Sequence, residues 1–260
     1  MADDDSDRTG RDPAPAVTRS IRLLEMLADS GRPMTLTELA SALGLAKSST
    51  ANLCLALEAA RMVERVAQGF RLGIRTAELG GAFAEQFNQV REFYAVCDAS
   101  EVLRGELVQV ALLDGADALY IARHEGSTRI GTPLGSRLPA ALSATGRALL
   151  STLDDAQVTS LLGEGATFPP LTEHTTRTLP GLLELLAQAR DRGWAVDAEE
   201  SFRGVVGVAV PLEGWAPGDP QLALGVGIPA AEATPERIRT VGAALLDAAK
   251  SLTNPFSSKY

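Results

Sequence analysis

Only two cysteines and two histidines occur in the 260 residues, and aromatic side chains make up just 5% of them. Cys54 and Cys97, taken with His124 and His174, show no ligand spacing, so no zinc centre or other metal set is expected. A glycine-rich phosphate loop and a serine elbow are missing too, so no catalytic residue and no cofactor is expected. Long apolar runs are absent: nothing approaches the roughly 20 residues that span a bilayer. The start, Met1-Ala2-Asp3-Asp4-Asp5, is the reverse of a basic, apolar signal peptide. The expectation is a cytoplasmic protein without membrane contact. What is plentiful is hydrophobic side chain, 45% of a chain long enough for two domains.

The densest local signal lies in residues 35–73: an apolar helix, a turn at Gly44, a second helix opening Lys47-Ser48-Ser49-Thr50, and a short hairpin about Gln68-Gly69. Leu36, Leu39, Ala40 and Leu43 share one helical face, and Gly44 supplies the left-handed residue that ends it. The next helix is expected from about Ala46 to Ala60. Its inner side carries Ala46, Thr50, Leu53, Leu57 and Ala60, its outer side Lys47, Ser48, Ala51, Asn52 and Leu55. That outer side is short and nearly uncharged, so the helix can sit deep in a major groove about 12 Å wide. Ser48 and Ser49 stand near its start, where hydroxyls and amides meet phosphate oxygens. Met62–Val66 and Phe70–Leu72 flank Ala67-Gln68-Gly69 as a hairpin, with Arg65 and Arg71 placed to reach the DNA backbone or minor groove. Each part alone has a plainer reading, a capped helix start or a two-helix turn in a bundle. In this order they predict a winged helix-turn-helix.

A net charge of −9 argues against a nucleic-acid partner until it is counted by segment. Residues 13–75 carry eight basic against five acidic side chains, and the acidic excess lies elsewhere. So modest a local charge suggests affinity shared between two or more copies bound side by side.

Residues 1–16, acidic and then Pro-Ala-Pro-Ala, have nothing to bury and are expected to form a disordered tail. A helix over Val17–Ala28, with Val17, Ile21, Leu24 and Leu27 as its stripe, backs the helix-turn-helix and completes a DNA-binding domain over 17–75. Leu79, Phe83, Phe87 and Val90 recur at helical spacing and predict one linker helix over 76–90. Gly80 and Gly81 cost that helix about 1 kcal/mol each relative to Ala, so its stability has to come from packing on a partner. Over 91–260 strands are expected at Leu107–Leu113, Ala118–Arg123, Val205–Val210 and Leu222–Ile228, helices at Gly146–Leu153, Leu182–Arg190 and Pro235–Leu252. That order predicts an α+β domain with an antiparallel sheet.

The two late strands are lopsided. Val206, Val208 and Val210 share one face of the first, against Val205, Gly207 and Ala209; Leu222, Leu224, Val226 and Ile228 share one face of the second, against Ala223, Gly225 and Gly227. One side is a core. The other is nearly bare, which suits either a helix packed closely on it or a cavity shaped for a small molecule, the favoured reading. Asp197, Glu199 and Glu200 lie just upstream and read as a solvated turn rather than an acid and base pair. His124, alone after a strand, reads as structural.

The chain resembles the IclR family of bacterial transcriptional regulators from Val17 to about Thr253. The resemblance is carried by Leu36 to Gly73, by Leu138-Pro139-Ala140-Ala141-Leu142-Ser143-Ala144-Thr145-Gly146-Arg147-Ala148-Leu149-Leu150, and by Arg192-Gly193-Trp194-Ala195-Val196-Asp197-Ala198-Glu199-Glu200 with Gly204. It implies a winged domain, a linker helix and a GAF-like effector domain, acting as a dimer or tetramer on operator double-stranded DNA under the control of a small metabolite. On the outer face and wing read above, the candidate DNA contacts are Lys47, Ser48, Ser49, Ala51 and Asn52, with Arg65, Gln68 and Arg71 on the wing. Effector contacts carry over to Ile130, Ala144, Thr145, Asp197, Val205, Gly207, Gly225 and Gly227. Amides near Ala144 and Thr145 would suit a carboxylate or carbonyl oxygen, and Asp197 would accept from a ligand NH or OH. Three departures are visible, one being Thr145-Gly146-Arg147 in place of the more usual Gly or Ala, Gly and Lys. Asn52 stands where relatives usually carry Arg, and asparagine pairs with adenine. Glycine at the late-strand positions where relatives often place Cys or Ser is expected to enlarge the cavity for a bulkier, aromatic effector. An enzyme on the same small-molecule domain, or a sensor whose winged domain serves protein contacts, are the other classes to weigh.

Overall fold

The computed structural model describes residues 12–127, 130–215 and 218–253, which fall into two compact units divided after Phe83. Of the tail expected over 1–16, residues 1–11 lie outside the described residues, and Pro15 already opens a helix.

The first unit starts with α1 (Pro15–Ser30), ended by Gly31 in the left-handed region. Its buried stripe is Leu23 and Leu27, with Leu24 packed beside them, whereas Val17 and Ile21 are 58% and 51% exposed. The expected stripe is therefore corrected: only the C-terminal half of α1 reaches the small core. α2 (Leu36–Leu43) opens with a capping box in which Thr35 accepts from the Glu38 amide and Glu38 accepts from the Thr35 amide. Gly44, φ 64°, ends it, and α3 (Lys47–Ala59) begins after three residues. β1 (Val63–Val66) and β2 (Gly69–Leu72) pair across Ala67-Gln68, and Met34 adds a bridge to Phe70 on the outer side. Gly69 is required there, because a Cβ at its φ of 134° would lie 2.2 Å from the Met34 carbonyl oxygen. Leu23, Leu27, Leu39, Cys54, Val63 and Phe70 form the core.

α4 (Ile74–Ala84) buries none of its residues. The single helix expected over 76–90 does not form: Phe87 is extended at φ −99°, ψ 115°, and a new helix, α5 (Asn88–Ala99), begins behind it. The break has a packing cause. Phe87, Val90, Phe93 and Cys97 all pack into the core of the second unit, so α5 takes its direction from that core.

That unit is built on a six-stranded antiparallel sheet in the order β5-β4-β3-β8-β7-β6, made of β3 (Val108–Asp114), β4 (Asp117–His124), β5 (Arg137–Pro139), β6 (Ala195–Ala198), β7 (Val205–Leu212) and β8 (Leu222–Pro229). Four further helices are α6 (Ala144–Leu150), α7 (Asp155–Leu162), α8 (Leu179–Arg192) and α9 (Pro235–Ser251). The valine and leucine face packs on α5 and α9 through Phe93, Cys97, Val241 and Leu245. The opposite face is alanine-rich and meets Ala144, Ala148 and Leu149 of α6 and Ala189 of α8. The two late strands thus divide their faces as the alternation predicts. β5, β6 and α7 are additions to the expected elements. At three and four residues the two strands are too short to show a period, but the Asp154 and Gln157 capping box that opens α7 is legible in the sequence.

Candidate functional site

Each unit holds a candidate site. In the first, α3 is anchored from inside by Thr50 and Cys54, both fully buried, with Thr50 donating to the Ala46 carbonyl at 3.2 Å. Ala46 and Ala60, expected inside, are exposed at the two ends of the helix. Lys47, Ser48, Ser49, Asn52 and Leu55 face solvent and Ala51 is half-buried, so one continuous face of mostly short side chains, with Leu55 as its apolar member, is presented. No side chain caps the start of α3, where helix amides are suited to phosphate oxygens. Gln68 is exposed at the wing turn. The wing arginines are not free cations. Arg71 pairs with Glu64 across the hairpin at 2.8 Å, while Arg65 lies 3.6 Å from Glu58 and 4.7 Å over the Phe70 ring. A phosphate has to draw them away from these acids, which refines the expectation of two open wing cations.

In the second unit, a cavity of about 410 Å³ opens between the alanine-rich sheet face, the start of α6 and the loops at 130–132 and 201–203. Ile130, Ala144, Thr145, Asp197, Val205, Gly207, Gly225 and Gly227 all lie on its wall. Sheet register brings the distant ones together: Asp197 stands opposite Gly207 and Gly207 opposite Gly227, while Gln109 stands opposite Gly225. A slip of one residue would turn every one of them to the other face.

The glycines, however, do not widen the cavity. A Cβ on Gly225 would lie 2.4 Å from the Thr145 methyl, and one on Gly207 2.8 Å from the Ala144 Cβ. Both admit α6 to the sheet. Gly227 faces the Ile130 loop, and a Cβ there would lie 3.0 Å from the Ile130 carbonyl oxygen. Both readings of the bare face therefore hold, the helix covering part of it and the cavity the remainder. The expectation that glycine here makes room for a bulkier ligand is corrected accordingly.

The acidic run is not a solvated turn either. Asp197 is buried, and one carboxylate oxygen accepts from the Glu200 and Ser201 amides at 2.7 and 3.2 Å while the other accepts from the Ser201 hydroxyl. Burial pushes its carboxyl up, against the hydrogen bonds from Ser201 and Glu200. Its oxygens are thus engaged by its own turn. Glu200 is buried against Arg147, whose two terminal nitrogens reach its oxygens at 2.6 and 2.7 Å. Arg147 also donates to the carbonyls of Ala141 and Val196. Burial raises the Glu200 carboxyl, but the Arg147 hydrogen bonds and charge outweigh it and hold the group below its ordinary range. Arg147 is thereby a pin between α6 and the 200 loop. His124 fits a structural role, its Nε2 2.8 Å from Asp98 Oδ1.

Several wall residues escape sequence reasoning. The Gln109 amide donates to the Thr132 carbonyl at 2.6 Å and accepts from its amide at 2.8 Å, pinning the 130 loop as a strand partner would. Tyr120 bonds Thr145 Oγ1 at 2.8 Å, and burial pushes its phenol up, which keeps it neutral. A glutamine between Val108 and Val110, and a tyrosine on a face of alanines, were readable signals. Phe202 and Arg203, which line the outer part, carry none.

The profile described as the IclR helix-turn-helix domain matches residues 16–67, and that of the bacterial transcriptional regulator IclR C-terminal matches residues 82–254. The chain belongs to the IclR family of bacterial transcriptional regulators. It is 32% identical to the acetate operon repressor of Salmonella typhimurium over 92% of this chain and 88% of that one. Among solved structures, the Rhodococcus sp. RHA1 protein RHA06195 superposes with a TM-score of 0.80 at 25% identity, over 92% of this chain and 96% of that one. An IclR homolog from Microbacterium hydrocarbonoxydans, solved with 4-hydroxybenzoate, shares the fold with a TM-score of 0.75 at 22% identity, over 91% and 97% of the two chains. As an IclR-family member the chain is a DNA-binding transcriptional regulator, with a winged reader and an α+β domain on one polypeptide. No helix among the described residues is long and apolar enough to cross a membrane.

Proposed function

We propose that this regulator is an operator-binding repressor whose hold on DNA is set by a small carboxylic acid with an aromatic or otherwise apolar body, taken into the cavity of the second unit. The exposed polar face of α3 carries this reading: Lys47, Ser48, Ser49 and Asn52 stand clear on a helix anchored from inside. In it, α3 enters the major groove, with Ala51 and Asn52 at base edges and Lys47, Ser48 and Ser49 on phosphates, while Arg65, Gln68 and Arg71 meet the backbone from the wing. The repressive sign follows that of the Salmonella relative. Ile130, Ala144, Thr145, Asp197, Val205, Gly207, Gly225 and Gly227 form the effector wall. Residues 17–75 are the reader, the rest of α4 the connection and the second unit, from Ala84, the effector domain, in a cytoplasmic homo-oligomer of two or four copies. Exposed Ile74 and Leu79 on α4 supply apolar surface for that assembly. The effector acts by favouring one spacing of paired reading helices, and the coupling equals its differential affinity for the two arrangements.

Gel shifts of the DNA flanking the gene, run from low to moderate salt with and without 4-hydroxybenzoate or related acids, test the proposal. Sequence-selective binding that falls steeply with salt and loosens with an acid is the expected result. Equal indifference to every duplex at low salt would overturn it.

A further inference from the structure

We propose that Arg203 is the anion anchor of the cavity, and that a carboxylate ligand takes it over from Glu173 at the rim. The inference rests on the cavity being the effector site.

Among the described residues Arg203 is the one cation on the wall. Its side chain is 74% exposed and its guanidinium stands 2.7 Å from Glu173 Oε2, itself 54% exposed. The two segments that carry the pair are stitched together by buried and part-buried hydrogen bonds. Thr172 Oγ1 donates to the Glu199 carbonyl at 2.7 Å, Thr175 Oγ1 to the Glu200 carbonyl at 2.9 Å, and the Thr176 amide to the Glu200 carboxylate at 2.7 Å. Glu199, at φ 60°, is also tied, its carboxylate accepting from the Gly204 amide at 2.8 Å. The backbone on both sides is therefore held, and only the two long side chains need to move. An exposed ion pair of this kind is weak, so exchanging one carboxylate partner for another costs little.

The inner end of the cavity offers the opposite environment. Tyr120 and Thr145, buried and bonded to each other, present neutral hydroxyls, and the nearby ionisable wall group is Asp197, an acid. A ligand carboxylate placed there would sit beside a like-charged group with no cation to meet it, whereas at the rim it finds Arg203. The ligand consequently lies with its acid outward, its apolar body along Ile130, Leu138 and Val205, and any neutral polar end toward Tyr120. Glu173 is then a built-in competitor that weakens binding of acids and leaves neutral analogues untouched.

Calorimetric titration of the full-length protein with benzoate and with benzamide tests this. Arg203→Gln is expected to weaken benzoate by about tenfold and leave benzamide within about twofold, as loss of a charge-assisted hydrogen bond requires. Glu173→Gln is expected to tighten benzoate severalfold without moving benzamide. Val205→Trp, which fills the cavity, should abolish both. Both charge variants binding the two compounds as the wild type does, while Val205→Trp still abolishes binding, would remove Arg203 and leave the cavity as the effector site. The same holds for equal losses of acid and amide in Arg203→Gln. Binding indifferent to Val205→Trp, or no binding of either compound to the wild type, would sink the two readings together.

Discussion

The proposed reading face of α3 comes from consecutive turns of one helix, Lys47 to Asn52, and consists of side chains that protrude. The cavity wall is gathered from Gln109 through Gly227, over all six strands of the sheet, a helix start and two loops, and much of it consists of side chain that is missing or already bonded. Capping and helical periodicity act over four residues or fewer, so the first region is specified almost where it stands. Sheet register acts across the whole domain, and the second region exists only once β6, β7, β8 and β3 are aligned. A local reader can be altered residue by residue. A gathered cavity responds as a unit.

The sharpest test of that contrast is Arg147→Met. It leaves the Glu200 carboxylate buried without its partner, and a loss of about 3–5 kcal/mol in urea unfolding of the second unit is expected, with the first unit's transition unmoved. A small loss would mean that α6 and the 200 loop do not depend on each other. Gly225→Ala comes next. Its new methyl has to displace that of Thr145, whose hydroxyl is held by Tyr120, and overpacking of about 1–3 kcal/mol is expected in thermal melts. Gly227→Ala, facing a 3.0 Å contact with a loop carbonyl, should cost less; the reverse order would restore the enlarged-cavity reading.

On the first unit, Asn52→Ala is expected to cost about 1–3 kcal/mol of discrimination at a single base position while melting stays as in the wild type. Binding-site selection on randomised duplexes measures it, and unaltered base preference would separate α3 from base reading. The mildest change is Thr35→Ala, about 1 kcal/mol from the loss of the cap. The same cap predicts a pH effect. Hydrogen bonds from Arg32, then from the Thr35 amide and hydroxyl, hold the Glu38 carboxyl down at about 2. Its contribution is thus complete above the ordinary carboxylate value of about 4.3 and is lost as the pH falls toward about 2. Acid titration of Glu38→Gln should lack that component.

Much of this molecule is legible before folding is considered. Gly44, the outer face of α3 and the two-faced alternation of β7 and β8 are each short-range patterns, and the structure shows all of them. The linker failed because periodicity at Leu79, Phe83, Phe87 and Val90 records apolar spacing but not which core each residue joins. Phe87 and Val90 join the second unit's core and break the helix. The α1 stripe failed similarly, since Val17 and Ile21 lie beyond the end of their core.

Sequence alone determined the longer elements, the stop at Gly44 and the two faces of β7 and β8, because hydrogen bonding along a helix and alternation along a strand are set by neighbours in the chain. Tertiary structure decided what the bare strand positions were for. Whether a missing Cβ admits a helix or empties a cavity depends on which backbone arrives opposite it, and at Gly225 that backbone is α6, some 80 residues earlier in the chain. The pairing of Arg147 with Glu200, and of Arg203 with Glu173, was settled at the same stage, since charges separated in sequence acquire partners only when packing brings their loops together.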